Sequence, residues 1–483
     1  MALNSAPYVL FLAAAAVLHR LVREAWRSGL LLAISWLFYL LCAPRAFPLL
    51  LLTTAWTFVL GRVLARRTKK RRLWLALGLT VNLGALFLFK YLGFFASLLS
   101  ALLGWLGLAP LTVPALLLPV GISFYTFLVC GYLMDVYRGR RPAEERFWQF
   151  ALFVSFFPAI LSGPIERSTS LLPQLQARPR ANGDDVKTGV TRFLTGLAKK
   201  MILADQLAVV VNTAYAAPEN FTGVQLLAAA LAYSLQIYCD FSAYSDMAVG
   251  SARLFGVRLT ENFDAPYLAR SVQEFWRKWH ISLSSWFRDY LYFPLGGSRR
   301  GTWRRYLNVL IVFAVSGLWH GAAGTFLVWG LLNGLYQVLG GLLTPARTRV
   351  RARLGVREDA KPLRWAQTLL TFLLITVTWV FFRAGSMDEA LSILRRIVTL
   401  AGGVFPLGLG ALGLGRKRLL ALLLAVLVLF AGDVWAKRRR WAARLCASVW
   451  PRYAVWAALI LLIAVLGAYG AGYDPQEFAY FKF

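Results

Sequence analysis

Val315-Ser316-Gly317-Leu318-Trp319-His320-Gly321-Ala322-Ala323-Gly324-Thr325-Phe326 places a histidine between two long apolar runs, with small residues on both sides. Only three histidines occur in the 483 residues. The flanks, roughly 306–319 and 321–343, read as membrane spans. A bilayer tolerates an imidazole at depth only where protein groups or a water-filled cavity satisfy it. His320 is therefore the first candidate for chemistry.

Composition agrees that these flanks lie in lipid. Hydrophobic residues make up 59% of the chain and charged residues 16%, with a positive mean hydropathy. Such values fall outside the range of soluble domains. In lipid every backbone polar group must be satisfied within the protein, and apolar runs of this length achieve that as helices. The expected fold is an all-α polytopic protein of the cell membrane. Lys and Arg number 53 against 22 Asp and Glu, a formal charge of +31. They stand in short clusters between apolar runs, a pattern that fits cytoplasmic loops and argues against a nucleic-acid partner. Cys42, Cys130, Cys239 and Cys446 are scattered, form no CxxC pair and neighbour no histidine, so neither a metal site nor a disulfide framework is expected. The first apolar run, Val9 to Leu18, has its basic residues Arg20, Arg23 and Arg27 behind it, and reads as a first span, not a cleavable signal.

In chain order, apolar runs near 6–22, 29–43, 47–64 and 73–90 come first. The cluster Arg62, Arg66, Arg67, Lys69, Lys70, Arg71 and Arg72 puts its turn in the cytoplasm and the N-terminus outside. Between Tyr91 and Pro119, the breaks at Gly93, Gly104, Gly107, Pro110, Pro114 and Pro119 predict a hairpin or partial helices more than one clean span. A span follows over Val120–Val136, then a re-entrant element over 147–165 broken at Pro158 and Gly163-Pro164. Further spans lie near 200–216 and 224–252. Residues 258–305 are too polar to span; Trp276, Trp279, Trp286 and Phe287 among Arg277, Lys278, Arg288 and Asp289 predict an interfacial or re-entrant segment. Runs near 364–383, 418–435 and 453–472 bring the expectation to about 11–13 transmembrane helices, with both ends outside. Arg395-Arg396 and Arg416-Lys417-Arg418 fall on the wrong side of that count. The chain groups into N-terminal helices (1–112), a core (113–345), and C-terminal helices with an aromatic tail (346–483).

Few polar groups sit at bilayer depth, which keeps the candidate list short. Besides His320 there is His280, within Trp276-Arg277-Lys278-Trp279-His280-Ile281-Ser282, and the run Asp240-Phe241-Ser242-Ala243-Tyr244-Ser245-Asp246 inside an apolar span. Two carboxylates in a span are costly unless paired or hydrated, so each should have a basic or hydroxyl partner. Bland alternatives stand beside each reading: an interfacial anchor for either histidine, and helix-to-helix hydrogen bonding for Asp240 and Asp246. His19, beside Arg20 at a span end, reads as interfacial. Gly296-Gly297-Ser298-Arg299-Arg300-Gly301 is similar to a phosphate cradle but lacks the Lys-Ser/Thr ending, and reads as a basic turn.

Across about 115–345 and the C-terminus the chain resembles the membrane-bound O-acyltransferases, in particular the bacterial branch of alginate O-acetylation and teichoic-acid D-alanylation membrane proteins. The resemblance is carried by Pro119-Val120-Gly121-Ile122-Ser123-Phe124-Tyr125, Ser162-Gly163-Pro164-Ile165-Glu166-Arg167, Asp240 to Asp246, Glu274 to Ser284, Trp286-Phe287-Arg288-Asp289-Tyr290, Pro294-Leu295-Gly296-Gly297 and Gly317-Leu318-Trp319-His320-Gly321. Several long motifs in one order are more specific than any one of them.

The resemblance implies helices around a central tunnel, with His320 and His280 as the two signature histidines. His320 would be the general base that takes a hydroxyl proton, and imidazole is the side chain whose ordinary pKa suits that task. His280 would orient the donor or stabilise charge. Asp240, Ser242, Tyr244, Asp246, Trp276, Trp319 and Asp289 would support the tunnel. Arg277, Lys278, Arg299 and Arg300 would hold donor phosphates at the cytoplasmic mouth. The donor would be acetyl-CoA or an acyl-phosphopantetheine thioester; no bound cofactor and no metal are expected. A polysaccharide would be the acceptor, and an extracytoplasmic partner of the serine-hydrolase type would complete the transfer. The tail Asp474 to Phe483 resembles that of alginate-type members, except at Ala479 and Lys482. It makes Tyr480 a candidate acyl acceptor, with an interfacial anchor as the alternative. Gly317 and Gly321 would let two helix ends part so that donor and acceptor reach His320 from opposite faces. D-alanyl transfer to teichoic acid is the alternative within the class, and a transporter or scramblase the alternative outside it, though the chain shows no two-halves symmetry.

Overall fold

The computed structural model describes residues 1–66, 69–114, 116–403 and 448–468, with scattered positions between 409 and 431. Tyr480 and the rest of the aromatic tail lie outside the described residues. Two compact units emerge, Met1–Phe193 with Ser245–Thr260, and Leu194–Tyr244 with Glu261–Phe483. Among the described residues the regular elements are helices.

The first unit opens with α1 (Ala6–Leu21), α2 (Arg27–Cys42), α3 (Phe47–Ala65), α4 (Arg71–Lys90) and α5 (Leu92–Trp105). After α5 the chain runs without regular structure to Gly121, as the glycine and proline spacing predicts. Next come α6 (Ile122–Tyr137), α7 (Phe147–Ser155), α8 (Ser168–Gln176) and α9 (Gly183–Ala198), which enters the second unit at Leu194. α6 is the most buried of these helices, and small residues let its neighbours close on it: a Cβ on Gly61 of α3 would meet the Tyr132 ring at 2.7 Å. α7 stops after nine residues, and turns follow over Pro158–Leu161, at the break that Pro158 predicts. Gly121 sits at φ 78, where a Cβ would meet the Ile160 carbonyl oxygen at 2.7 Å, so only glycine serves there. Glu166 closes the turn. Its carboxylate accepts from the Thr260 amide at 2.6 Å and the Thr260 hydroxyl at 3.2 Å, and burial pushes its pKa up to about 7.

The second unit continues from α9 through a π-helical turn, Lys199–Ala204, into α10 (Asp205–Ala216) and α11 (Gly223–Arg253), whose residues from Ser245 onward belong to the first unit. At 31 residues α11 is roughly 46 Å long, more than the hydrocarbon thickness of about 30 Å. Two short helices follow, α12 (Val272–Lys278) and α13 (Ile281–Phe287), in the polar segment that was expected not to span. Then come α14 (Thr302–His320), α15 (Gly324–Leu342), α16 (Thr344–Arg353), α17 (Lys361–Arg383), α18 (Met387–Val398) and α19 (Val449–Leu466). Among the described residues α2, α3, α4, α11, α15, α17 and α19 are long and apolar enough to cross a membrane, and α1, α5 and α6 are shorter apolar helices. The protein is a multi-pass protein of the cell membrane. The misplaced Arg395-Arg396 pair lies in α18, a short helix with charges at both ends, where Arg396 donates to the Glu219 and Phe221 carbonyls.

The core of the second unit is aromatic. Trp279, Trp329 and Trp379, each at most 1% exposed, come from the end of α12, from α15 and from α17. Trp379 lies 5.2 Å from Trp279 and 5.8 Å from Trp329, ring centre to ring centre. Ring pairs at these spacings add cohesion beyond area burial, about 0.5–1.5 kcal/mol each.

Candidate active site

Glycines set the position of His320. α14 and α15 touch backbone to backbone: a Cβ on Gly317 would lie 2.3 Å from the Phe326 carbonyl oxygen, and one on Gly330 would lie 2.2 Å from that of Phe313. Close approach through small residues is how membrane helices gain contact area without a hydrophobic driving force. The expectation that the glycines let the helix ends part is therefore corrected, because Gly317 draws the helices together. Gly321 leaves the helix in extended conformation, and the Phe326 ring occupies the space that a Cβ would need.

This contact buries His320, 4% exposed, at the last residue of α14. Its ring stands edge to face against Trp329 at 4.9 Å, Trp319 at 5.0 Å and Phe382 at 5.4 Å. Trp319 also reaches His280, 6.2 Å away, so one indole joins the two histidines.

His280 is held by its backbone. It sits at φ 44 and ψ 55 between α12 and α13, a left-handed conformation uncommon outside glycine. Residues 262–264 hold it there. The Asp264 amide donates to the Lys278 carbonyl, the Ile281 amide to the Asn262 carbonyl, and the Ser282 amide to Asn262 Oδ1. The imidazole is fully buried, with the Phe241 ring 4.7 Å away edge to face. Burial pushes its pKa down to about 3, so His280 is neutral at physiological pH.

The two aspartates of α11 separate. Asp240 is buried and accepts from Lys200 Nζ at 2.8 Å; the same ammonium meets Asp205 at 2.9 Å. Lys200 lies in the π-helical turn, and such turns recur at functional sites. Asp246 belongs to the first unit, where it pairs with Arg192. Each carboxylate thus has the basic partner that its depth requires, and the two do not form one acid pair. Ser242 accepts from Lys199 at 3.2 Å, Tyr244 is buried, and Asp289 pairs with Arg288 at 3.0 Å. Among the described residues no three His, Cys, Asp or Glu side chains gather as metal ligands.

A cavity of about 1040 Å³ opens in the second unit. Arg270, Arg277, Arg288, Arg305 and Arg347 line it, and no Asp or Glu does. Trp276, Ile281 and Phe313 give it an apolar end beside the Ser316 hydroxyl, Trp276 and Phe313 being in ring contact. Neither histidine lines it, although Ile281 adjoins His280 and Ser316 is one helical turn before His320. Trp276 bars the way. Its indole packs on Phe313 at 5.3 Å and on Trp329 at 5.6 Å, and its N–H donates to Asn333 Oδ1 at 3.1 Å. Asn333 in turn donates to the Trp329 carbonyl at 2.8 Å.

Of the expected donor-binding residues Arg277 faces this cavity. Lys278 pairs with Glu274 at 2.6 Å, and Arg299 and Arg300 are exposed in the turn after the π-helical Arg288–Tyr292. Neither Lys278, Arg299 nor Arg300 lines the cavity. Sequence reasoning missed Arg270, Arg288, Arg305 and Arg347, which are spread over 78 positions and converge only through the fold. Trp329 and Asn333 carry no sequence signal beyond being polar or bulky positions in an apolar run.

The family model for membrane-bound O-acyltransferases matches residues 144–382. A probable alginate O-acetylase of Pseudomonas putida is 39% identical over 419 residues, covering 85% of this chain and 82% of its own length. A peptidoglycan O-acetyltransferase of Helicobacter pylori is 35% identical, covering 69% of this chain and 66% of its own length. A teichoic acid D-alanyltransferase of Bacillus subtilis is 28% identical, covering 45% of this chain and 57% of its own length.

Proposed function

The chain belongs to the membrane-bound O-acyltransferase family, and from that membership we propose that it takes an acetyl group from a cytoplasmic thioester and delivers it to a hydroxyl for O-acetylation of an extracytoplasmic polysaccharide. It is an acyltransferase; the acyl group, the donor and the residue roles are the proposal. Relatives named for O-acetylation match at 35–39% identity against 28% for the D-alanyltransferase, which favours acetyl over D-alanyl.

The observation that carries the donor reading is the cavity with five guanidiniums and no carboxylate. Arg pairs with phosphate through parallel N–H donors, so such a lining suits the phosphates of acetyl-CoA or of a phosphopantetheine arm. Arg305 near the start of α14 and Arg347 in the arginine-rich α16 support a mouth on the cytoplasmic side, by the positive-inside rule. The apolar end would take the thioester and present it toward His320.

The chemistry needs a neutral base in a water-poor site. His320 accepts the hydroxyl proton as the oxygen attacks the thioester carbonyl, and returns it to the departing thiolate. His280, neutral and locked by Asn262, orients the donor through its packing against Trp319. Tyr480 of the aromatic tail is the proposed first acceptor. A serine-hydrolase-type partner outside the membrane then moves the acetyl group to the glycan.

The test uses purified full-length protein with radiolabelled acetyl-CoA. Label should appear on the protein or on a polysaccharide acceptor, and His320→Ala should abolish it. Undiminished labelling by His320→Ala overturns the base assignment. Transport of an intact solute into liposomes without acylation overturns the enzyme reading. Labelling retained in full by Tyr480→Phe removes the tyrosyl acceptor.

A further inference from the structure

Trp329 occupies the space between the proposed base and the proposed donor cavity. One neighbour of its indole is His320, 4.9 Å away between ring centres; another is Trp276, 5.6 Å away, which forms the inner wall of the cavity. The side chain is fully buried, yet its Nε1–H has no hydrogen-bond acceptor among the described residues. Its neighbours Trp276 and Trp379 both have one: Asn333 Oδ1 for the first and the Tyr267 hydroxyl at 3.2 Å for the second. A buried donor without an acceptor is costly, and buried indole N–H groups normally find a partner. This donor without an acceptor thus sits on an indole that touches the base. α15 is drawn against α14 at Gly330, the next residue, which fixes where Trp329 stands.

From this placement we infer that Trp329 is a catalytic residue whose indole N–H stabilises the oxyanion formed during acyl transfer. The inference rests on the reading of His320 as the base. The acceptor oxygen attacks the thioester carbonyl carbon while its proton passes to His320. The carbonyl π electrons move onto the oxygen, and that oxyanion takes the Trp329 hydrogen bond. When the tetrahedral intermediate collapses, the carbon–sulfur bond breaks and the thiolate takes the proton from His320, leaving an ester and a free thiol. A donor aimed at charge that develops only in the transition state raises kcat without tightening substrate binding. For the carbonyl to reach Nε1, the Trp276 side chain must swing away from Trp329, releasing its bond to Asn333.

The test replaces residue 329 in the full-length protein with β-(3-benzothienyl)alanine, which keeps the ring shape and puts sulfur where the N–H was. Trp329→Phe is made beside it. Thiol release from acetyl-CoA is followed with glycerol as the hydroxyl acceptor, and melting temperature is read for every variant. We expect kcat to fall on the order of 100-fold in both variants, with KM for acetyl-CoA within about threefold and the benzothienyl variant melting like the wild type. A benzothienyl variant with wild-type kcat overturns the assignment, and so does a loss that appears in KM alone. Wild-type thiol release that survives His320→Ala overturns the underlying reading instead. Absence of thiol release from acetyl-CoA by the wild type overturns both.

Discussion

Replacing Lys200 by Met should destabilise the protein severely. Lys200 is 1% exposed, and its ammonium is the shared partner of two buried carboxylates, Asp205 at 2.9 Å and Asp240 at 2.8 Å. Methionine fills nearly the same volume but takes the Lys200 ammonium away from both buried carboxylates. Breaking a buried pair from one side costs about 3–5 kcal/mol, mostly the penalty of the charge left behind, and here two charges are left. At roughly 2 °C per kcal/mol for a chain of this size, the melting midpoint should fall by on the order of 6–10 °C. The consequence reaches the site, because Phe241, next to Asp240 on α11, packs against His280. The decisive comparison is the triple variant Lys200→Met, Asp205→Asn, Asp240→Asn, in which all three of these side chains are neutral. It should recover most of the lost stability, because a neutral replacement of a buried ion cluster is often near neutral in free energy. The assay is thermal unfolding of detergent-solubilised protein by intrinsic fluorescence. A Lys200→Met variant that melts within a degree of the wild type refutes the reasoning, and so does a triple variant that melts lower than the single one.

Glu166→Gln should stabilise the protein at alkaline pH. The carboxyl pKa is raised from 4.5 to about 7, so its stabilising share is complete below pH 4.5 and is lost as pH rises through 7; the gain on neutralisation at pH 8 is on the order of 3 kcal/mol, read as a higher midpoint there and little change at pH 4.5. His280→Gln should flatten the acid side. With the folded pKa lowered from 6.5 to about 3, the unfolded chain binds the extra proton between those values, so stability present above pH 6.5 falls by about 2 kcal/mol at pH 5 in the wild type and by less in the variant. Gly330→Ala would put a methyl 2.2 Å from the Phe313 carbonyl oxygen and force α14 and α15 apart, at about 1–3 kcal/mol; acyl transfer should fall more steeply than the melting midpoint, because Trp329 and His320 part with the helices. Equal activity at a lowered midpoint would show that their spacing is irrelevant to the reaction.

The membrane architecture was legible because apolar run length and arginine clustering act locally, and α2, α3, α4 and α17 fall close to where the runs put them. The short α7, α12 and α13 were legible for the same reason: proline and charge stop a helix wherever they occur. The two histidines stood out by rarity and motif, and their joint burial around Trp319 followed. What escaped was anything decided by the meeting of distant elements. Lys200 reads as the basic edge of an apolar run, and only the π-helical turn aims it at Asp240 on another helix. Arg299 and Arg300 look like phosphate ligands in sequence, yet the turn that holds them leaves them exposed, while Arg305 and Arg347 reach the cavity from separate helices. The glycines around His320 were assigned to flexibility, because a sequence does not say which helix will lie against them.

The arginine-lined cavity has a consequence for turnover. On the proposed reading the guanidiniums of the lining would grip the phosphate end of a donor, and that end is unchanged by the reaction. The spent carrier therefore keeps nearly all the contacts that brought the donor in, losing only those of the two-carbon acyl group. With the proposed donor, departure of the free thiol would be slow, and the thiol would compete with fresh donor for the same mouth. Flux would then follow the ratio of acylated to free carrier more than the amount of donor. Raising ionic strength weakens the grip on both and speeds release, up to the point where capture fails.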